Sequence, residues 1–174
     1  TVRCVSIGTS NLTANLAGSL SAANVIVEST SNYTLAGSGA IIGSASLLKS
    51  NTGTLTITAN NSTFTGRTVI AGGTVIVSEL DAAGFPSSLG NVNSSPTNLL
   101  LTGNAVLRVT SESYTDRGLT LGSGSTNSVD VFNSADQLTM AGLITGSGAF
   151  QKLGAGVFAI TRSNNYSGTT LIKA

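Results

Sequence analysis

The chain has no histidine and no tryptophan, and its 174 residues include one cysteine, one methionine and two prolines. Each scarcity excludes something. Without histidine no side chain has an ordinary pKa near neutrality, and a Ser-His-Asp triad is impossible. A single cysteine, Cys4, rules out an internal disulfide framework and a CxxC metal site. Charged residues make up 9%, against about 25% in an average soluble domain. The net charge of +1 gives no basis for capturing nucleic acid. The Glu, Lys and Arg that coat long helices are scarce. No apolar run is long enough for a membrane-spanning helix. No Met or basic segment precedes Thr1, so a signal peptide is expected to be absent or already removed.

What is abundant is Gly, Ser, Thr and Asn, about half of the chain, set among Val, Ile and Leu. That composition makes β-structure the default. Short alternating stretches recur every 10 residues or so, bounded by Gly, Asn or Ser: "TLTIT" (54–58), "TVIV" (74–77), "NLLLTG" (98–103), "AVLRV" (105–109), "SVDVF" (128–132) and "GVFAIT" (156–161). Two architectures suit them, an antiparallel sandwich or barrel and a β-solenoid.

Internal repetition favours the solenoid. "LLKSNTGTLTITANNSTFTGRTVIAG" (47–72) aligns with "FQKLGAGVFAITRSNNYSGTTLIKA" (150–174), placing Lys49 on Lys152, Gly53 on Gly156, Ile57 on Ile160, Phe64 on Tyr166 and Gly66 on Gly168. We therefore expect one domain, 1–174, of two imperfect long repeats (about 1–73 and 74–174), with about 20 to 25 residues per turn and roughly seven to nine turns. Asn60, Asn61, Phe64 and Gly66, with Asn164, Asn165, Tyr166 and Gly168, are the repeat-corner residues, and the asparagines are placed to stack as an amide ladder. Residues 80–98 carry both prolines and no strand pattern, which predicts a loop, with a helical turn at 79–83.

These residues resemble the autotransporter-associated β-strand repeat, whose pattern runs K-x-G-x-G-x-L-x-L-(T/S)-G-x-N-x-Y-(T/S)-G-x-T-x-(I/V). Lys152, Gly154, Gly156, Phe158, Ile160, Asn165, Tyr166, Ser167, Gly168, Thr170 and Ile172 fit it, as do Lys49, Gly53, Leu55, Ile57, Phe64, Thr65, Gly66, Thr68 and Ile70. The first copy departs at Asn51, where the pattern prefers Gly, and at Phe64 in place of Tyr. The resemblance implies a right-handed parallel β-helix from a large surface-exposed or secreted bacterial protein, often an adhesin, with no catalytic residues in the repeat.

Candidate chemistry is thin. The seven carboxylates are Glu28, Glu79, Asp81, Glu112, Asp116, Asp130 and Asp136. A glycosidase needs two of them roughly 5 to 9.5 Å apart, and Asp130 with Asp136 or Glu112 with Asp116 are the pairs to test; solvated surface carboxylates are the plainer reading. The nonapeptide of calcium-binding β-rolls is absent. "GSGAIIG" (37–43) and "GSGS" (122–125) lack the helix and Lys-Ser/Thr of a phosphate loop, so they read as corners. No catalytic residue, metal or cofactor is predicted. Cys4 aligns with Val77 and is expected to fill an inward column. Tyr33, Tyr114, Tyr166, Phe64 and Phe85 are candidates for stacking on sugars wherever exposed.

Both termini are strand-like and uncapped, "TVRCVSI" and "GTTLIKA". Two expectations follow: a fragment of a longer passenger, or copies that cap one another head to tail. In the second, Val2, Cys4, Val5 and Ile7 of one molecule pair with Thr170, Leu171 and Ile172 of the last. The function this supports is a non-enzymatic, secreted or surface-exposed bacterial structural module. It stacks on itself into an extracellular fibre with an adhesive or matrix role, its partners being itself and host or matrix glycans. The alternatives are a stalk segment of a large adhesin passenger, or a carbohydrate-binding or carbohydrate-active β-helix.

Overall fold

A computed structural model describes residues 1–5 and 11–173. The chain is an all-β parallel solenoid of about 8 turns. Successive strands visit a first, a second and a third side in order. Val2–Val5 begins the first, Leu12–Asn15 the second and Ser19–Ser21 the third, after which Asn24–Glu28 returns to the first. The first side becomes a seven-stranded sheet and the second an eight-stranded one. The third carries a two-stranded sheet early and a three-stranded sheet late. Among the described strands every pairing is parallel.

The period-2 pattern of each strand sends alternate side chains inward, and the register stacks them. On the first sheet Val25, Leu47, Thr68 and Leu99 form one inward column. On the second, Leu12, Tyr33, Leu55, Val75, Leu107 and Val129 form another. These columns merge into one core that runs the length of the rod. Cys4 lies in line with Val27, half-buried against that core, and burial pushes its thiol pKa up.

One turn is longer than the rest. Hydrogen bonds between neighbouring turns typically join residues 22 apart, as in Ser46–Asn24 and Thr54–Asn32. Across residues 80–98 the separation is 33, as in Leu80–Ser113. The extra length is an excursion that takes the place of a strand on the third side. There Ser87 makes an antiparallel bridge to Ser62, and the Asn91 amide donates to Phe64 O at 2.8 Å. The helical turn expected at 79–83 is not there. The Ala83 N–H that would close it donates instead to Asp116 Oδ1 at 2.7 Å, and the only helical turn of the excursion is Pro96–Asn98, started by proline.

Candidate functional site

Two corners are built the same way. Lys49 points inward from Ser46–Ser50, fully buried, and its ammonium donates to Ser50 O at 2.8 Å and Asn51 O at 2.9 Å, with Gly72 O at 3.4 Å. Lys152 points inward from Ala149–Leu153 and donates to Gly154 O. Each lysine thus caps carbonyls that a tight corner turns away from the strand ladder. The corner residue itself has positive φ, 61° at Asn51 and 77° at Gly154, which explains why asparagine can replace the family's glycine there. Burial lowers the Lys49 pKa to about 8. The lysines were aligned in the sequence, but their role as corner caps needed the carbonyl positions.

The excursion has its own anchor, Arg117, which sequence reasoning missed. Its side chain is 2% exposed and is wrapped by excursion carbonyls. Nε donates to Asp81 O at 2.8 Å, and Nη2 to Gly90 O at 2.8 Å, Phe85 O at 3.2 Å and Ser87 Oγ at 3.1 Å. Burial lowers the Arg117 pKa, while the Asp81 and Asp116 carboxylates oppose that shift. Beneath the excursion lies a small cavity lined by Thr68, Leu89, Val92, Leu99, Arg117 and their neighbours, and the buried Thr68 Oγ1 has no hydrogen-bond partner. Nothing in the linear pattern around Arg117 announces this, because its partners lie up to 36 residues away.

The repeat-corner residues are not stacked on one another. Asn60 and Asn61 are exposed at the corner between the second and third sides. Asn164 stands between the third and first, where its Oδ1 accepts from Ile144 N at 2.6 Å. The amide ladder forms elsewhere, between Asn32 and Asn11 at 3.1 Å. Phe64 is buried, and Tyr166 packs against Phe150 with ring centres 6.1 Å apart. Gly66 and Gly168 sit where a Cβ would collide with the backbone of the turn below, at Ala45 and Gly148.

The joint strands occupy different sides. Val2–Val5 ends the first sheet, whereas Thr170–Ile172 ends the second, pairing with Phe150, Gln151 and Lys152. Val2 and Cys4 are half-buried, Val5 and Thr170 through Ile172 are exposed, and Ile7 lies outside the described residues.

The candidate carboxylates have the following places. Asp130 is buried and bound to Arg108 Nε at 2.7 Å, Asp136 accepts from Asn133, and Glu112 and Asp116 flank opposite ends of the strand Ser113–Thr115, about 13 Å apart by strand rise. Of the five candidate aromatics only Tyr114 and Phe85 are strongly exposed. The expected corner reading of the glycine clusters fits Gly37 and Gly124, both at positive φ.

Comparison with known proteins points the same way. The Passenger-associated-transport-repeat family matches residues 47–77 and 150–174. The Adhesin BmaC autotransporter of Brucella suis biovar 1 (strain 1330) is 38% identical over 154 residues, which is 87% of this chain and 4% of that protein. The chain thus spans a small fraction of the length of that relative. No solved structure matches.

Proposed function

Since the chain belongs to the autotransporter-associated β-strand repeat family, we propose that it is a non-enzymatic shaft segment of a surface-exposed bacterial adhesin passenger. The carrying observation is the continuous inward column of each sheet, which makes a stiff rod in which every turn is templated by the last. Similarity to an autotransporter adhesin supports the surface location and the adhesive setting. About 8 turns at roughly 4.8 Å each contribute about 40 Å of reach. Deleting residues 1–174 from a displayed passenger should shorten its projection by that amount in electron micrographs without stopping export. An unchanged length would count against the shaft reading. Depolymerisation of a glycan by the chain, lost in Asp130→Asn or Asp116→Asn, would favour a carbohydrate-active β-helix instead.

Copies of this module, or flanking turns of one passenger, take the open strand edges at the two ends. The geometry of the ends favours a register different from the one the sequence suggests. Beyond Thr170–Ile172 a continuing chain moves to the third side, over Val157–Ile160, whose upper edge has no described partner and whose Val157 and Ile160 are exposed. A following copy therefore seats its Val2–Val5 on Val157–Ile160 rather than on Thr170–Ile172, because only that rotation aligns the helical step of one end with that of the other.

A further inference from the structure

We propose that the outer surface of the third side, around Tyr114 and Phe85, docks a basic polypeptide segment, a role beyond the shaft and independent of how the ends stack. The strand Ser113–Thr115 turns Ser113 and Thr115 inward and Tyr114 outward, 57% exposed; its outward neighbour in register is Thr139, too short to cover the ring. Phe85 stands on the excursion, 62% exposed, with its backbone held by Arg117. Two exposed rings on a rigid frame, in a chain with eight aromatic residues, form a surface built for contact.

The charges say what it contacts. Two of the seven carboxylates are paired with arginine on the other sides, Glu28 with Arg3 and Asp130 with Arg108. The remaining five, Glu79, Asp81, Glu112, Asp116 and Asp136, make no ion pair among the described residues, and all five lie on the third side or at the corners leading into and out of it. The Leu80 amide donates to Ser113 Oγ, which sets Glu79 beside Glu112 on adjacent turns, and the Ser113–Leu138 register brings Asp136 to the turn after. The one cation in these segments, Arg117, is buried; it donates to carbonyls, and its charge is felt by Asp81 and Asp116, which leaves Glu79, Glu112 and Asp136 as the carboxylates with no described cation beside them. Exposed arginines bracket the patch: Arg67 ends the turn on which the excursion stacks, and Arg162 follows the strand two turns above Ser113–Thr115.

Like charges stacked on neighbouring turns repel, and an incoming cation relieves them. Lysine and arginine also sit favourably over an exposed tyrosine ring. A neutral glycan would use the rings but gain nothing from the three carboxylates Glu79, Glu112 and Asp136, and an acidic one would be repelled. No group of three or more acidic residues among those described is close enough to hold a metal ion, so spread positive charge fits better than a single ion.

Fluorescent octalysine and octaglutamate peptides, titrated against the protein at about 0.02 M and about 0.5 M salt, provide the test. The expected result is binding of octalysine only, lost at high salt. Glu112→Gln should weaken it about threefold, Glu79→Gln/Glu112→Gln about tenfold, and Tyr114→Ala about threefold with charge unchanged, all at parental melting temperature. Glu28→Gln removes the same charge from the first side and should leave affinity within error. Equal weakening by Glu28→Gln and Glu112→Gln would reduce the effect to net charge and overturn the proposal. So would failure to bind octalysine, or displacement of the peptide by a neutral oligosaccharide or by calcium alone.

Discussion

Lys49 occupies an inward position in register with Val27 and Ile70, where a charged group has three carbonyls and no carboxylate for company. Its pKa of about 8 lies below the unfolded value of 10.5, so the folded state binds the proton less well than the unfolded chain. The sign follows from linkage: the cost is full below about pH 8 and is relieved as pH rises toward 10.5, of order 3 kcal/mol at most. Thermal melts from pH 7.5 to 10.5 should show this group adding stability with pH, and Lys49→Met should lose that rise; a parallel rise in both proteins would refute it. Thr68 presents the opposite case, a hydroxyl buried without a partner beside a small cavity. Thr68→Val removes an unmet polar atom at nearly constant volume and should stabilise by about 1 kcal/mol. Destabilisation in a denaturant titration would mean that solvent in the cavity already satisfies Oγ1.

Corners and the excursion are the elements where sequence and packing meet most tightly. At Gly66 and Gly168 the preceding turn passes so close that any Cβ meets backbone oxygen. Gly66→Ala should cost about 2 to 4 kcal/mol in a denaturant titration, because backbone, unlike a side chain, cannot swing away. Gly168→Ala belongs to the last turn and should cost less. The excursion depends on Arg117. Arg117→Leu removes the donor from Asp81 O, Gly90 O and Phe85 O together, and unmet buried carbonyls cost about 1 to 3 kcal/mol each. Limited proteolysis should then cut within residues 82–90 while the strands on either side stay protected. Resistance equal to the parent would show that the Ser62–Ser87 bridge suffices.

At the scale of the rod, each end presents an open ladder edge with apolar side chains. On the third side Val157 and Thr161 donate toward the turn below, to Asp136 O at 2.9 Å and Met140 O at 3.2 Å, so by strand alternation the amide of Ile160 faces outward along the axis. Ile160→Pro removes that donor without touching the existing ladder and should abolish the proposed end-to-end association in sedimentation while leaving the melt nearly unchanged. Leu171 is a poorer test site. The bonds Phe150 N to Thr169 O and Lys173 N to Lys152 O place its amide on the inner ladder. If Ile160→Pro associates like the parent, the register argued from the end geometry is wrong.

The sequence by itself determined the alternating strands, the turn length near 22 residues, the loop at 80–98 and the corner glycines, because each depends on residues close together in the chain. It also paired Lys49 with Lys152, since the capped corner is a local structure. Only the tertiary structure decided where those copies sit. From the strand of Lys49 on the first sheet, four turns and one further side lead to the strand of Lys152 on the second, so the two repeats are rotated about the axis rather than stacked. Asn60 and Asn164 therefore stand at different corners, and the proposed seating of one end on the other takes another register. Arg117 and the unpaired carboxylates were equally illegible. A carbonyl cage and a one-sided charge come from residues about one turn or more apart in sequence, brought together only when the turns stack.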